Sequence, residues 1–215
     1  MDNHHDNVER FNHIANDWDA NPQRVLMGQK VGRAIRTALD PDGSERVLEF
    51  GAGTGLATLL LAPKVAHLTA LDGSAGMLAV LRQKCERKGL HNVEIIEGNV
   101  VEQLPNLEYD VICSALTLHH VGDVAGLLKK LAQHLVPGGR VALADLDTED
   151  GHFHSADVKG VMHHGFDRET FGRWLRDAGF TEITFSTAHT VQREKEDGST
   201  QPYSIFLAVA QKPVA

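Results

Sequence analysis

The chain has 215 residues, 42% hydrophobic and 23% charged, a balance that supports one globular unit with its own core. A formal charge of −8 argues against a nucleic-acid partner, because phosphate-backbone binding rests on clustered Lys and Arg. No apolar run approaches the roughly 18 residues of a membrane span, Met1 to Asp6 carry no apolar signal stretch, and Cys85 and Cys113 form no CxxC pair, so a reducing cytoplasm is expected.

Residues 1–44 read as a helical lead-in with breaks at Asn21-Pro22 and Pro41-Asp42-Gly43. Phe11, Ile14, Ala15 and Trp18 form its apolar stripe. Residues 45–215 form the main domain. Arg46 to Phe50 is a buried strand that runs into a glycine loop, and a helix from Thr54 to Leu61 is stopped by Pro63. Val65 to Leu71 is a second strand, closed by Asp72-Gly73. Ser74 caps the next helix, Met77, Leu78, Leu81 and Cys85 share its inner face, and Gly89 ends it. Arg82, Lys84, Arg87 and Lys88 on that helix read as a solvated face.

Val93 to Ile96 and Asp110 to Ala115 are the third and fourth strands. A helix over Asp123 to Leu135 buries Leu127, Leu128, Leu131 and Leu135. Pro137-Gly138-Gly139 breaks it, and Arg140 to Ala144 is a fifth strand. A late helix begun at Asp167 carries Phe171, Trp174, Leu175 and Ala178 and closes at Gly179. Two further strands, Ile183 to Thr190 and Ser204 to Ala210, are joined by a loop alone and should be antiparallel. Strands alternating with helices imply an α/β fold, a largely parallel sheet with helices on both faces.

Gly51-Ala52-Gly53-Thr54-Gly55 between a strand and a helix is a nucleotide-type cradle, where the backbone can approach a ligand closely. Position 56 is Leu, so the spacing is GxGxG and not the GxGxxG of a dinucleotide site, which disfavours an NAD(P)-dependent oxidoreductase. Glu49 is poorly matched to a pyrophosphate and well matched to an ammonium group. Asp72, 21 residues after Gly51, can accept from two ribose hydroxyls. A ribose, an amine and a small anion without a diphosphate describe S-adenosylmethionine (SAM).

Val47-Leu48-Glu49-Phe50-Gly51-Ala52-Gly53-Thr54-Gly55 resembles the first motif of the class I SAM-dependent methyltransferases. Leu71 to Leu78 is similar to their ribose-binding turn, Glu97-Gly98-Asn99-Val100 to their adenine position, Tyr109 to Ser114 to their fourth strand, and Leu135 to Gly139 to the turn before the fifth. The overall look is close to the ubiquinone/menaquinone-type and "methyltransferase 11" group. The resemblance implies a Rossmann-like sheet in the order 3-2-1-4-5-7-6. It implies that Glu49, Gly51 and Gly53 meet the methionine part, with Ala52 and Gly55 also binding the cofactor. It implies Asp72 and Gly73 at the ribose, Met77, Asn99 and Val100 at the adenine, and Ser114 beside the site. Asn99 stands where the family usually has Asp, and its amide oxygen can still accept from the adenine amine.

No Asn-Pro-Pro-Tyr-type motif follows the fourth strand, where the chain reads Ser114-Ala115-Leu116-Thr117. With the acidic charge, this leaves a small molecule as the expected methyl acceptor, with a homodimer allowed. A non-catalytic SAM-binding or partner-binding module on the same fold is the alternative. Histidines cluster where an acceptor should lie: His119-His120, His152 with His154, and His163-His164. A histidine can serve as base at neutral pH, or cap a helix or line a loop. His120, with His119 beside it, is the expected catalytic residue, because similar enzymes place a histidine there. His152, His154, His163, His164 and Trp18 are expected in the acceptor pocket, with ordinary packing open for Trp18. In similar enzymes such a lead-in closes over the cofactor as a lid. The run Asp145 to His154 holds four acids and two histidines; it lacks EF-hand spacing, so a polar loop is expected there and no metal.

Overall fold

Capping side chains set the helix ends. Asn21 accepts from the backbone N–H of Gln23 and Arg24 at 2.9 and 3.3 Å and starts helix α2 (Pro22–Leu39). Ser74 starts α4 (Ala75–Lys88), and Gly89 closes it in the left-handed region. Asp123 and Asp167 cap α5 (Val124–Gln133) and α6 (Arg168–Asp177). The chain opens with α1 (Asn3–Trp18), and α3 is the short Thr58–Leu61. This computed structural model describes residues 3–102, 104–155, 158–194 and 198–214.

The strands are β1 (Arg46–Phe50), β2 (His67–Asp72), β3 (Val93–Glu97), β4 (Tyr109–Ala115), β5 (Leu135–Leu146), β6 (Thr181–Glu194) and β7 (Thr200–Gln211). They form one seven-stranded sheet in the order β3-β2-β1-β4-β5-β7-β6. β3, β2, β1, β4 and β5 are parallel; β7 runs antiparallel to both β5 and β6. Side chains alternate between two buried faces, as a sheet covered on both sides requires. On one face Leu48, Ile112, Leu143 and Phe206 meet α5 and α6 through Leu127, Leu131, Phe171 and Leu175. On the other Val47, Leu68, Val111 and Ala142 meet α2, α3 and α4 through Ile35, Leu61, Leu78 and Leu81. Among the described residues no helix is long and apolar enough to cross a membrane.

Several boundaries differ from the sequence expectation. The helix expected from Thr54 begins at Thr58, because the loop before it turns through positive φ at Gly51, Gly53 and Gly55. α5 ends at Gln133, and Leu135 already belongs to β5. Pro137-Gly138-Gly139 therefore lies inside the strand as an irregularity. The β4–β5 register shifts there, from Tyr109 opposite Leu135 to Val111 opposite Arg140. The β6–β7 pair is antiparallel as expected and longer at both ends.

Candidate functional site

The carboxyl ends of β1, β2, β4 and β5 open on one side of the sheet, where an α/β fold places its ligand crevice. A cavity of about 330 Å³ lies there, lined on one side by Val8, Arg10, Phe11 and Trp18 of α1. Glu49 is buried in its floor and accepts a 2.6 Å hydrogen bond from the Thr58 hydroxyl. Burial pushes its pKa up to about 7 against that hydrogen bond, with nearby Asp72 adding to the rise. Gly51 has φ 67°, and a Cβ there would stand 2.0 Å from Thr117 Oγ1. A Cβ on Gly53 would meet nothing within 4 Å, so that glycine borders open space in the cavity wall.

Asp72 ends β2 and fixes the glycine loop. Its Oδ2 accepts from Gly53 N–H and its Oδ1 from Ser74 N–H, both at 2.8 Å. Burial raises its pKa, and those two backbone bonds oppose the rise. Ala52, Gly73, Met77, Asn99 and Val100 also line the cavity. The Asn99 amide is engaged locally: Oδ1 accepts from Val101 N–H at 2.9 Å, and Nδ2 donates to Glu102. Gly55 and Ser114 do not line the cavity. Gly55 turns toward Leu81, and the buried Ser114 hydroxyl donates to the Phe50 carbonyl at 2.9 Å.

α1 is fastened to this frame at two points. Asn12 Oδ1 accepts from Ser74 Oγ at 2.7 Å and from Gly76 N–H at 2.9 Å. Just past the helix, Asp19 accepts from Thr54 Oγ1 at 2.8 Å and pairs with Lys84, which also donates to the Thr54 carbonyl. Lys84 is thus an inward-tied residue and not part of a solvated face. Phe11 and Trp18 line the cavity and pack edge to face, 5.5 Å apart, and the Arg24 guanidinium sits 4.3 Å over the Trp18 ring.

The histidines divide into two sets. His119 and His120 form a short 3-10 turn after β4 with Leu118. His119 is buried, and its Nδ1 lies 2.8 Å from Asp145 Oδ1, also buried. Burial alone would raise the Asp145 pKa, but the His119 ring and three hydrogen bonds hold it below the ordinary value. His120 Nδ1 donates to the Gly160 carbonyl at 2.8 Å. Burial first, and the neighbouring His119 next, push the His120 pKa down to about 4. Burial likewise pushes His154 to about 3, so both rings are neutral at pH 7. His119, His120 and His154 all line the cavity.

His152, His163 and His164 do not line it. His152 is exposed, with Nδ1 3.0 Å from the Asp150 carbonyl, and exposed His164 pairs with Glu149 at 3.2 Å. His163 donates to the Val121 carbonyl at 2.9 Å, and its backbone N–H and that of Met162 donate to His119 O, which braces the histidine turn. The acids of the Asp145 to His154 run are each engaged separately. Asp147 makes a two-pronged pair with Arg168, Glu149 accepts from the N–H groups of Gly151, His152 and Phe153, and Asp150 accepts from Gln201 and Tyr203. Sequence reasoning missed Arg10, Arg24 and Arg193, all in the cavity wall. The Arg193 guanidinium sits 4.4 Å over Phe153, and its buried Nε has no hydrogen-bond partner.

Known proteins share this frame. The chain is 28% identical over 98% of its length to a ubiquinone biosynthesis O-methyltransferase of Xanthomonas axonopodis pv. citri, covering 95% of that protein. It is 35% identical over 57% of its length to a 23S rRNA uracil-C5 methyltransferase of Chromohalobacter salexigens, of which it spans only 31%. The solved complex of DhpI with S-adenosylhomocysteine (SAH) superposes with a TM-score of 0.71 at 23% identity, covering 97% of this chain and 95% of that one, and shows the same fold. The family profile described as a methyltransferase domain matches residues 21–184, so the chain belongs to that family.

Proposed function

We propose that the chain transfers the methyl group of SAM to an oxygen, nitrogen or sulfur atom of a small molecule. The observation that carries this reading is a single cavity with two chemically different ends. One end has the buried Glu49 and part-buried Asp72 carboxylates beside a glycine loop; the other has three histidines, one of them backed by the buried Asp145. At the first end Glu49 takes the SAM ammonium and Asp72 the ribose hydroxyls, using the lone pairs its backbone bonds leave free. Arg24, over Trp18, faces the methionine carboxylate. At the second end His119, His120 and His154 receive the acceptor, and Arg193 favours one with an anionic group. Holding acceptor atom, methyl carbon and sulfur in line beneath α1 supplies much of the rate.

The test is SAH formation from SAM against a panel of phenols, thiols, amines and carboxylic acids. Turnover with one class supports the reading. SAM binding with no SAH formed from any of them would instead favour a binding module.

Glu49 gives the pH dependence. With a pKa of about 7 in the free protein, the carboxyl is neutral below that and charged above. The ammonium needs the charged form, so SAH affinity should be flat above pH 8 and fall roughly tenfold per unit below pH 7. Glu49→Gln should bind more weakly at pH 8 and lose this dependence. An unchanged wild-type dissociation constant from pH 6 to 8 would remove Glu49 from the ammonium site.

α1 acts as the lid over this cavity. Asn12→Ala removes two hydrogen bonds to α4, a loss of about 1–2 kcal/mol. Amide exchange in α1 should quicken about tenfold, with the sheet unaffected. Unchanged exchange would mean that the Asp19 contacts alone hold the helix.

A further inference from the structure

Three imidazoles meet in the acceptor end of the cavity, carried by two separate segments. His119 and His120 come from the turn after β4, and His154 from the loop after β5. Their ring centroids lie 4.1, 4.9 and 6.0 Å apart. One nitrogen of each falls within 4.8 Å of the others. Three imidazoles on one tetrahedral ion, with metal–nitrogen distances of about 2.0–2.1 Å, hold those nitrogens roughly 3.3 Å apart. Small rotations of the His120 and His154 rings would close the difference.

The surrounding hydrogen bonds prepare lone pairs. His119 donates through Nδ1 to the buried Asp145 carboxylate, which leaves Nε2 free as an acceptor. His120 donates through Nδ1 to the Gly160 carbonyl, which leaves its Nε2 in the same state. His154 buries its Nδ1 with no hydrogen-bond partner. A buried imidazole nitrogen without a partner is costly unless something fills it. A carboxylate on one ring and a backbone carbonyl on another are the outer contacts that orient ligating histidines.

We infer that His119, His120 and His154 bind one divalent transition-metal ion, of the zinc class that imidazole suits, with its fourth position open to the cavity. The ion rests on the histidine geometry alone; its use in methyl transfer rests on the function proposed above. There it would take the hydroxyl or thiol of the acceptor as its fourth ligand, and that group would lose its proton to solvent on coordination. The oxygen or sulfur then forms its bond to the methyl carbon as the carbon–sulfur bond of SAM breaks, and the electron pair of that bond stays on the SAM sulfur. The acids of the Asp145 to His154 run supply no ligand. Asp145 acts only as a positioning residue through His119.

The test uses the full chain without a histidine tag, stripped with a chelator and titrated with Zn²⁺ by calorimetry and with Co²⁺ by visible spectroscopy. One Zn²⁺ per chain should bind at micromolar concentration or tighter, and Co²⁺ should give the strong visible bands of a four- or five-coordinate site. Asp145→Asn should weaken Zn²⁺ by about 10–100-fold, the range for an outer-contact loss, and His154→Ala by at least about 100-fold. Metal-free His154→Ala should still unfold cooperatively, somewhat below the wild type because the ring packs on His119 and Phe153. Equal Zn²⁺ binding by wild type and His154→Ala, or none by the wild type, would overturn the inference. SAH titrated into the same metal-free protein separates the two readings. SAH binding without Zn²⁺ binding removes only the metal, and Zn²⁺ binding without SAH binding removes the methyltransferase reading and leaves the site.

Discussion

Asp72→Ala should abolish SAH binding while leaving a chain that still unfolds cooperatively. The carboxylate has two tasks in one place. It holds Gly53 N–H and Ser74 N–H at 2.8 Å, and it faces the cavity where the ribose hydroxyls would lie. Hydrogen bonds to a charged acceptor contribute about 1.5–3 kcal/mol each. Losing two ribose bonds therefore weakens binding by more than roughly 100-fold. Asp72→Asn should recover little. Its one amide oxygen cannot accept from two N–H groups that now sit on opposite carboxylate oxygens, and its NH₂ would face one of them. Calorimetry with SAH reads the loss, and a denaturant melt reads the fold. An Asp72→Ala protein that binds SAH within a few-fold of wild type would put the ribose elsewhere.

Gly51→Val is the substitution with the largest expected cost to the fold. Gly51 has φ 67°, where a β-branched residue is a strong outlier. The new Cβ would also lie 2.0 Å from Thr117 Oγ1 and 2.5 Å from Thr117 Cγ2. Backbone strain of about 1–3 kcal/mol and overpacking of about 1–3 kcal/mol act together. A loss of about 3–5 kcal/mol is a large share of a typical domain's stability. Gly53→Ala is the matched control. It shares the positive φ, but its Cβ meets nothing within 4 Å and enters the cavity instead. Gly53→Ala should cost about 1 kcal/mol of stability yet still impair SAH binding. Equal stability of the two variants would mean that the loop moves away from Thr117 at little cost.

What could be read ahead of the structure follows from local physics. The caps at Ser74 and Gly89, the apolar faces of α4 and α5, and the buried run of β1 all depend on neighbours in the chain. The resemblance supplied the strand order, and the loop between the last two strands their antiparallel pairing; the sheet has both. The glycine loop was legible as a cradle, but not that its positive φ angles would delay α3 to Thr58.

The histidines show where such reading stops. His152 and His154 are two residues apart, which in an extended chain puts both on one side. Glu149 instead gathers the N–H groups of Gly151, His152 and Phe153 into a turn, so His154 enters the cavity while His152 faces solvent. His163 and His164 were candidates for the pocket, yet His163 acts through its backbone on the His119 turn. Lys84 looked like one of four surface cations until the Thr54 carbonyl and Asp19 came to lie beside it. Arg24 and Arg193 carry no periodic signal, because α2 and β6 meet at the cavity only in the folded chain. Asp145 was legible as an acid after the fifth strand, but its pairing with His119 spans 26 residues and two strands.

The most direct test of the account is a calorimetric titration of the wild-type chain with SAH at pH 8, with NADH titrated in parallel. One site per chain is expected, with a dissociation constant of roughly micromolar order and no heat with NADH. No SAH binding at millimolar concentration, or NADH binding in its place, would contradict it.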